Sequence, residues 1–146
     1  MERKRVKIEL GQTLNCLSFA LDTAENRYFN HSRRTAYVAY HIAMEMGLGE
    51  EELMDTYFIS LIHDIGMAGY LSNYSVAHIH RDPVLRKKHC YLGYEILDKI
   101  PYINKKKDYI LYHHEEYNGR GPYGLKEEEI PLVAQIVHIS DFFELF

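Results

Sequence analysis

The chain has no tryptophan, only two cysteines and only four prolines among its 146 residues. Cys16 and Cys90 are too few and too far apart to make a disulfide framework or a Cys-x-x-Cys zinc motif. This favours reduced thiols and a cytoplasmic setting. No apolar run approaches the ~20 residues of a membrane span, so no membrane insertion is expected. Arg3, Lys4 and Arg5 open the chain, but Gln12, Asn15 and Asp22 interrupt the stretch behind them, so there is no signal-peptide core. A large basic excess is also missing. The formal net charge is −4, which argues against a nucleic-acid coat and against DNA as a partner. Arg33–Arg34, Arg86–Lys87–Lys88 and Lys105–Lys106–Lys107 read individually as solvated faces. Runs of alternating strand residues are missing too, and the expected class is all-α.

The helical pattern is clear in most places. Leu10, Leu14, Leu17 and Leu21 predict a helix over about Ile8–Glu25. A second covers Ser32–Met46, with either Val38, Ile42 and Met46 or Ala39 and Ala43 inward, and Gly47 and Gly49 end it. A third runs from Glu50 through Leu61 and Ile62 into His63–Asp64, where Gly66 and Gly69 break the chain. Residues 67–81 have no clear period and read as a loop. Asp82–Pro83 is a cap and first position for a helix through His89 and Leu97. Another helix is expected over Asn104–Tyr117, then a turn-rich loop at Asn118–Pro122, and Pro131 opens the last helix. That helix ends in Phe142, Phe143, Leu145 and Phe146. So apolar an end either docks in the core or on a partner, or the native chain continues. The expectation is one domain over residues 1–146, truncated at its C-terminus.

Nine histidines are the most telling abundance. His63 and Asp64 adjoin at the end of an apolar helix, where burying an ionised carboxylate is costly unless something pairs with it. His113 and His114 repeat the pattern after Tyr109–Tyr112. Asp141 sits inside an apolar helix with His138 three residues before it. Adjacent helical residues point about 100° apart, so such a pair serves two neighbouring ions more easily than one. Histidine and aspartate without cysteine suit iron, manganese, magnesium or a catalytic zinc with open positions, not a closed structural zinc. Two such ions could activate a shared water against a phosphoester.

These residues, in this order, resemble the HD phosphohydrolase superfamily: His31, then His63–Asp64, then Asp141. Further stretches resemble its HD-GYP branch. They are His63-Asp64-Ile65-Gly66; His89 with Gly93, Ile96 and Leu97; His113-His114-Glu115 followed by Gly119, Gly121, Gly124-Leu125-Lys126 and Glu129-Ile130-Pro131-Leu132; and Ile139-Ser140-Asp141 with Phe143. The resemblance covers about Leu17 to Leu145. It implies an HD-domain helical bundle with a central metal site. His31, His63, Asp64, His89, His113, His114 and Asp141 would be the ligands, Asp64 the bridge, and Asp64 and His63 the catalytic pair. The cofactors would be two divalent ions, iron or manganese first, with magnesium, nickel or zinc as alternatives. Members with three metals carry a Glu where this chain has Arg27, so two are expected.

The implied activity is phosphodiester hydrolysis of a cyclic dinucleotide such as cyclic di-GMP. The alternatives are a catalytically degenerate signalling or nucleotide-binding module and a nucleotide monophosphohydrolase. A homodimer, or an attached sensory or regulatory domain, is compatible with this reading. The chain departs from the branch at Gly121-Pro122-Tyr123, where Gly-Tyr-Pro is usual, at Asn118, where Asp is usual, and at Met67, where a phosphate-contacting Lys is usual. In place of that Lys, Arg120, with Arg34, is the candidate for binding substrate. His78 and His80 read as surface residues and His41 as structural. His138 reads as a helix-surface residue or as one that orients a ligand, and Cys90 as packed.

Overall fold

The computed structural model describes residues 9–26 and 30–144. Seven α-helices and no strand lie among them, as the missing alternation implied: α1 Leu10–Ala24, α2 His31–Glu45, α3 Glu50–Leu61, α4 Val76–Arg81, α5 Pro83–Leu97, α6 Lys107–Leu111 and α7 Leu132–Glu144.

Local chemistry accounts for most of the boundaries. Gly47, at φ +77°, ends α2, with Leu48 N–H donating to the Ala43 carbonyl and Gly47 N–H to that of Met44. This pattern satisfies two orphan carbonyls, and glycine adopts the left-handed backbone without a Cβ penalty. Glu50, Glu51 and Glu52 occupy the first turn of α3, where the helix dipole favours negative charge. The Asp82 carboxylate accepts from Val84 and Leu85 N–H, both at 2.9 Å, and Pro83 takes the first position of α5.

The main core joins α1, α3, α5, α6 and α7 through Leu14, Leu21, Ile59, Leu61, Ile62, Leu97, Ile110, Val133 and Val137. The inward stripe of α2 is the alanine one. Ala36, Ala39 and Ala43 are buried, while Met46 is exposed. Small residues there let α2 lie close to α3 and α7, with Ala39 and Ala43 against Ile136.

Three expectations need correction. Residues 67–81 are not simply a loop. A 3-10 turn spans Ile65–Gly69, and α4 follows, started by the Ser75 hydroxyl accepting from His78 N–H. Met67, Ile79 and Leu85 make a small second core beneath α4. Next, the helix expected over Asn104–Tyr117 is only a 3-10 turn at Asn104–Lys106 followed by α6. His113 and His114 therefore lie in the turn after α6, and His63 and Asp64 lie in the turn after α3. Finally, Phe142 and Phe143 do not dock in the core and are exposed. Ile8, Arg27, Leu145 and Phe146 lie outside the described residues.

Candidate metal centre

Two helix ends supply the centre by the same device. Where α3 stops, the His63 Nδ1–H donates to the Ser60 carbonyl at 2.8 Å. Where α6 stops, the His113 Nδ1–H donates to the Ile110 carbonyl at 2.6 Å. A helix C-terminus leaves carbonyls without partners, and an imidazole three residues on can satisfy one. That bond also fixes the orientation of the ring, so that Nε2 is the nitrogen turned inward. The next residue in each turn, Asp64 or His114, is then carried into the same buried space.

The other elements are held in register with these turns. The N-terminus of α2, which carries His31, is capped from α1, where buried Asp22 accepts from Ser32 N–H at 3.2 Å and from its hydroxyl at 2.7 Å. Gly66 brings the His63–Asp64 turn against α5. A Cβ at Gly66 would lie 1.9 Å from the His89 carbonyl oxygen and 2.6 Å from Gly93 N. His138 donates from Nδ1 to the His113 carbonyl at 3.0 Å, tying α7 to the second turn. Its role is structural support for a cluster residue, and it is only partly exposed.

Asp64 lies at the centre. Its Oδ2 is 3.3 Å from His63 Nε2. Its Oδ1 is 3.6 Å from His89 Nε2 and 3.7 Å from His113 Nε2. Asp141 Oδ1 is 3.3 Å from His31 Nε2 and 3.5 Å from His63 Nε2. The His114 ring stands 5.0 Å from that of His89. All seven residues singled out in the sequence are thus brought together and are buried. Nε2 of His31, His63, His113 and His114, and Oδ1 of Asp141, are buried without an aligned hydrogen bond. Buried donor atoms 3–4 Å apart fit a divalent ion, whose bonds to nitrogen and oxygen are about 2.0–2.2 Å. Two sets of donors lie within 4.8 Å of one another on either side of Asp64: His31, His63 and Asp141, and His89, Cys90, His113 and His114.

Without an ion the cluster is close to neutral by its own charges. Burial works against a charge on His63, but Asp64 and Asp141 outweigh it and hold its pKa well above the ordinary value. Burial likewise opposes charge on His113, and Cys90 and Asp64 outweigh it, raising it to about 9. Burial pushes His89 down to about 3, and burial with repulsion from His113 and His89 pushes His114 well down. Asp64 and Asp141 stay well below the usual carboxylate range, because the neighbouring imidazoles outweigh the cost of burying them.

Sequence reading missed one member. His80, read as a surface residue along with His78, has its Nε2 3.8 Å from Asp64 Oδ2 and belongs to a third donor set with Asp64 and His114. His78 is exposed, as expected. Cys90 is buried, with its sulfur 3.8 Å from His89 Nε2. His41 packs against Tyr37 and Tyr40.

The two arginines differ. Arg34 makes a two-point pair with Glu144, through Nε at 2.8 Å and through a second guanidinium nitrogen. It thereby joins α2 to the end of α7. Arg120 lines a cavity of about 870 Å³ with Tyr70, Arg86, Lys87, Tyr91 and Tyr123 among others. No residue of the His/Asp cluster lines that cavity. The loop bearing Arg120 is anchored by buried Glu115, whose carboxylate accepts from Tyr123 N–H at 2.7 Å and Leu125 N–H at 2.6 Å.

Known proteins resemble this chain in sequence and in fold. The chain is 32% identical over 142 residues to a cyclic di-GMP phosphodiesterase of Thermotoga maritima, covering 93% of this chain and 38% of that protein. It is 35% identical over 107 residues to a 3'3'-cGAMP-specific phosphodiesterase 1 of Vibrio cholerae, covering 73% of this chain and 25% of that one. The chain therefore spans well under half the length of these relatives. A crystal structure of a cyclic GMP-AMP specific phosphodiesterase of Vibrio cholerae superposes with a TM-score of 0.77 at 23% identity, over 94% of this chain and 40% of that one, and supports the helical fold. The HD domain family model matches residues 28–145. With its motifs and these relatives, the chain belongs to the HD domain family, in the HD-GYP branch.

Proposed function

We propose that the chain is the hydrolase domain of a metal-dependent phosphodiesterase acting on a cyclic dinucleotide. The observation that carries this reading is the buried convergence of His31, His63, Asp141, His89, His113 and His114 on Asp64. The relatives' names supply the substrate class.

In this reading His31, His63 and Asp141 hold one ion, and His89, His113 and His114 hold a second. Asp64 serves both, and Asp64 and His63 are the residues closest to the chemistry. Iron or manganese suits this donor set best. Bound ions would supply Lewis acidity and lower the pKa of a water for attack on phosphorus. The chain's own work is to turn Nε2 of His63 and His113 inward through the carbonyl bonds of their Nδ1–H groups. It also shields the cluster from bulk water by burial. Arg120 stands in the large cavity near Arg86 and Lys87, a setting that favours a polyanionic ligand. Contact between Arg34 and substrate would require Glu144 to give way. Attached regulatory domains and dimerisation belong to the same proposal, as does a count of two ions.

The test is turnover of cyclic di-GMP and 3'3'-cGAMP by anaerobically metal-loaded protein, beside Asp64→Asn. Hydrolysis by the parent that falls at least about a thousandfold in Asp64→Asn is expected. Met67 is fully buried against Ile79 and Leu85, so that position offers no cation to substrate. This favours one second reading, a module that binds the nucleotide without cleaving it. Tight binding with no turnover would establish that reading instead.

A further inference from the structure

Ile79 of α4 is fully buried against Met67 and Leu85, which fixes the rotation of this short helix. The next residue, His80, is thereby directed at the cluster. Its Nε2 lies 3.8 Å from Asp64 Oδ2. Its ring centroid is 5.1 Å from that of His114 and 6.0 Å from that of His89. Donor atoms of Asp64, His80 and His114 all lie within 4.8 Å of one another. The His80 side chain is 16% exposed, against 0–7% for His31, His63, His89 and His113, so it stands on the open side of the cluster.

A charged His80 would pair with Asp64 but would also stand beside the imidazoles of His89 and His114. Crowding imidazoles together is unfavourable whenever they are charged, whereas one carboxylate and two imidazoles at such spacing are a common donor set for a first-row divalent ion. We propose that His80 is a further metal-binding side chain, donating Nε2 to the ion that Asp64 and His114 share. The proposal rests on the metal-centre reading above. None of the motifs carrying the family resemblance includes His80. Met67 and His80 then work as a pair: the apolar side chain anchors α4 and the imidazole faces the ions.

The experiment compares the parent with His80→Ala and with Arg81→Ala, an exposed neighbour on the same helix. Each protein is titrated anaerobically with Mn²⁺ by calorimetry and with Co²⁺ by visible absorption, and its fold is followed by circular dichroism. Loss of a partner outside the ligand shell costs about 10- to 100-fold in affinity, so loss of a ligand should cost no less. The expected result is one ion held as in the parent and the other bound at least about tenfold more weakly in His80→Ala. Its Co²⁺ spectrum should change, with Arg81→Ala unchanged in both respects. Parent and His80→Ala that load identically and share one Co²⁺ spectrum would overturn the proposal and leave the metal centre standing. A parent that binds neither ion would overturn both. If His80→Ala fails to fold, His80→Gln is read by the same criteria, because its amide oxygen is a weaker donor.

Discussion

At the scale of single residues, the centre depends on which imidazole nitrogen faces inward. His63 and His113 each place Nδ1 on a helix-end carbonyl, so Nε2 is directed toward the carboxylates. Without an ion, Asp64 and Asp141 raise His63 well above its ordinary value, and Cys90 and Asp64 raise His113 to about 9, so both rings favour the charged form. A ligand imidazole must be neutral, so metal loading has to expel these protons. The expected result is release of about two protons per fully loaded chain at pH 7, with affinity rising as pH increases toward 9. Mn²⁺ addition to weakly buffered protein with a pH indicator measures this, and loading at pH 7 without proton release would refute it. Stability of the metal-free protein runs the other way. His113, raised to about 9 on folding, contributes fully below pH 6.5, and its contribution is lost as pH rises through about 9.

Among the elements, the HD motif is as much a packing device as a chemical one. Gly66 lets the turn carrying Asp64 touch the backbone of α5 beside His89. A methyl group there would lie 1.9 Å from a backbone oxygen, which cannot swing aside. At Gly93 the nearest obstacle to a Cβ is the Ile110 Cγ2 methyl, 2.6 Å away, a side-chain rather than a backbone atom. Gly66→Ala should therefore cost about 3 kcal/mol or more and lower Tm by at least about 6 °C, and Gly93→Ala should cost less. Thermal melts of the two variants check the order, and a Gly66→Ala protein as stable as the parent would contradict this packing role.

Helices with a buried stripe and a chemical stop were legible in the sequence. The α2 end at Gly47 and the α5 start at Asp82–Pro83 are examples. The short α4 was not, because six residues with one buried side chain give no period. Ser75 before Val76, with Ile79 following, was the available signal, a cap ahead of an apolar residue one turn on. The early end of α6 was missed for a related reason. His113 and His114 continue an apolar run, and only the tertiary position of the Ile110 carbonyl shows that the helix has already stopped.

On the scale of the whole molecule, the donors come from five separate segments: the start of α2, the turn after α3, α5, the turn after α6, and α7. The sequence named those seven residues because burying polar groups in apolar helices demands a reason. It could not name His80, whose approach to Asp64 depends on how α4 packs on Met67. The Arg34 pair with Glu144 was likewise invisible, since it joins residues 110 positions apart in the chain. The cluster lies in the bundle interior, where α2, α3, α5 and α7 meet, and the cation-lined cavity lies elsewhere, beside α5 and the loop anchored by Glu115. In the proposed reading, the cavity holds the charge of the substrate and the cluster carries the chemistry. Arg120→Ala should raise KM for a cyclic dinucleotide severalfold with little change in kcat, which steady-state kinetics would reveal, whereas an equal fall in kcat would move Arg120 to the reacting centre.

The central claim is that buried His and Asp side chains gathered on Asp64 form a two-metal centre. The most direct measurement is elemental analysis of protein purified anaerobically, beside Asp64→Ala prepared in the same way. About two first-row ions per chain are predicted in the parent, with loss of both in the variant, because Asp64 serves both sites. Folded parent protein that takes up no ion when offered iron or manganese, or an Asp64→Ala variant that keeps both ions, would contradict it.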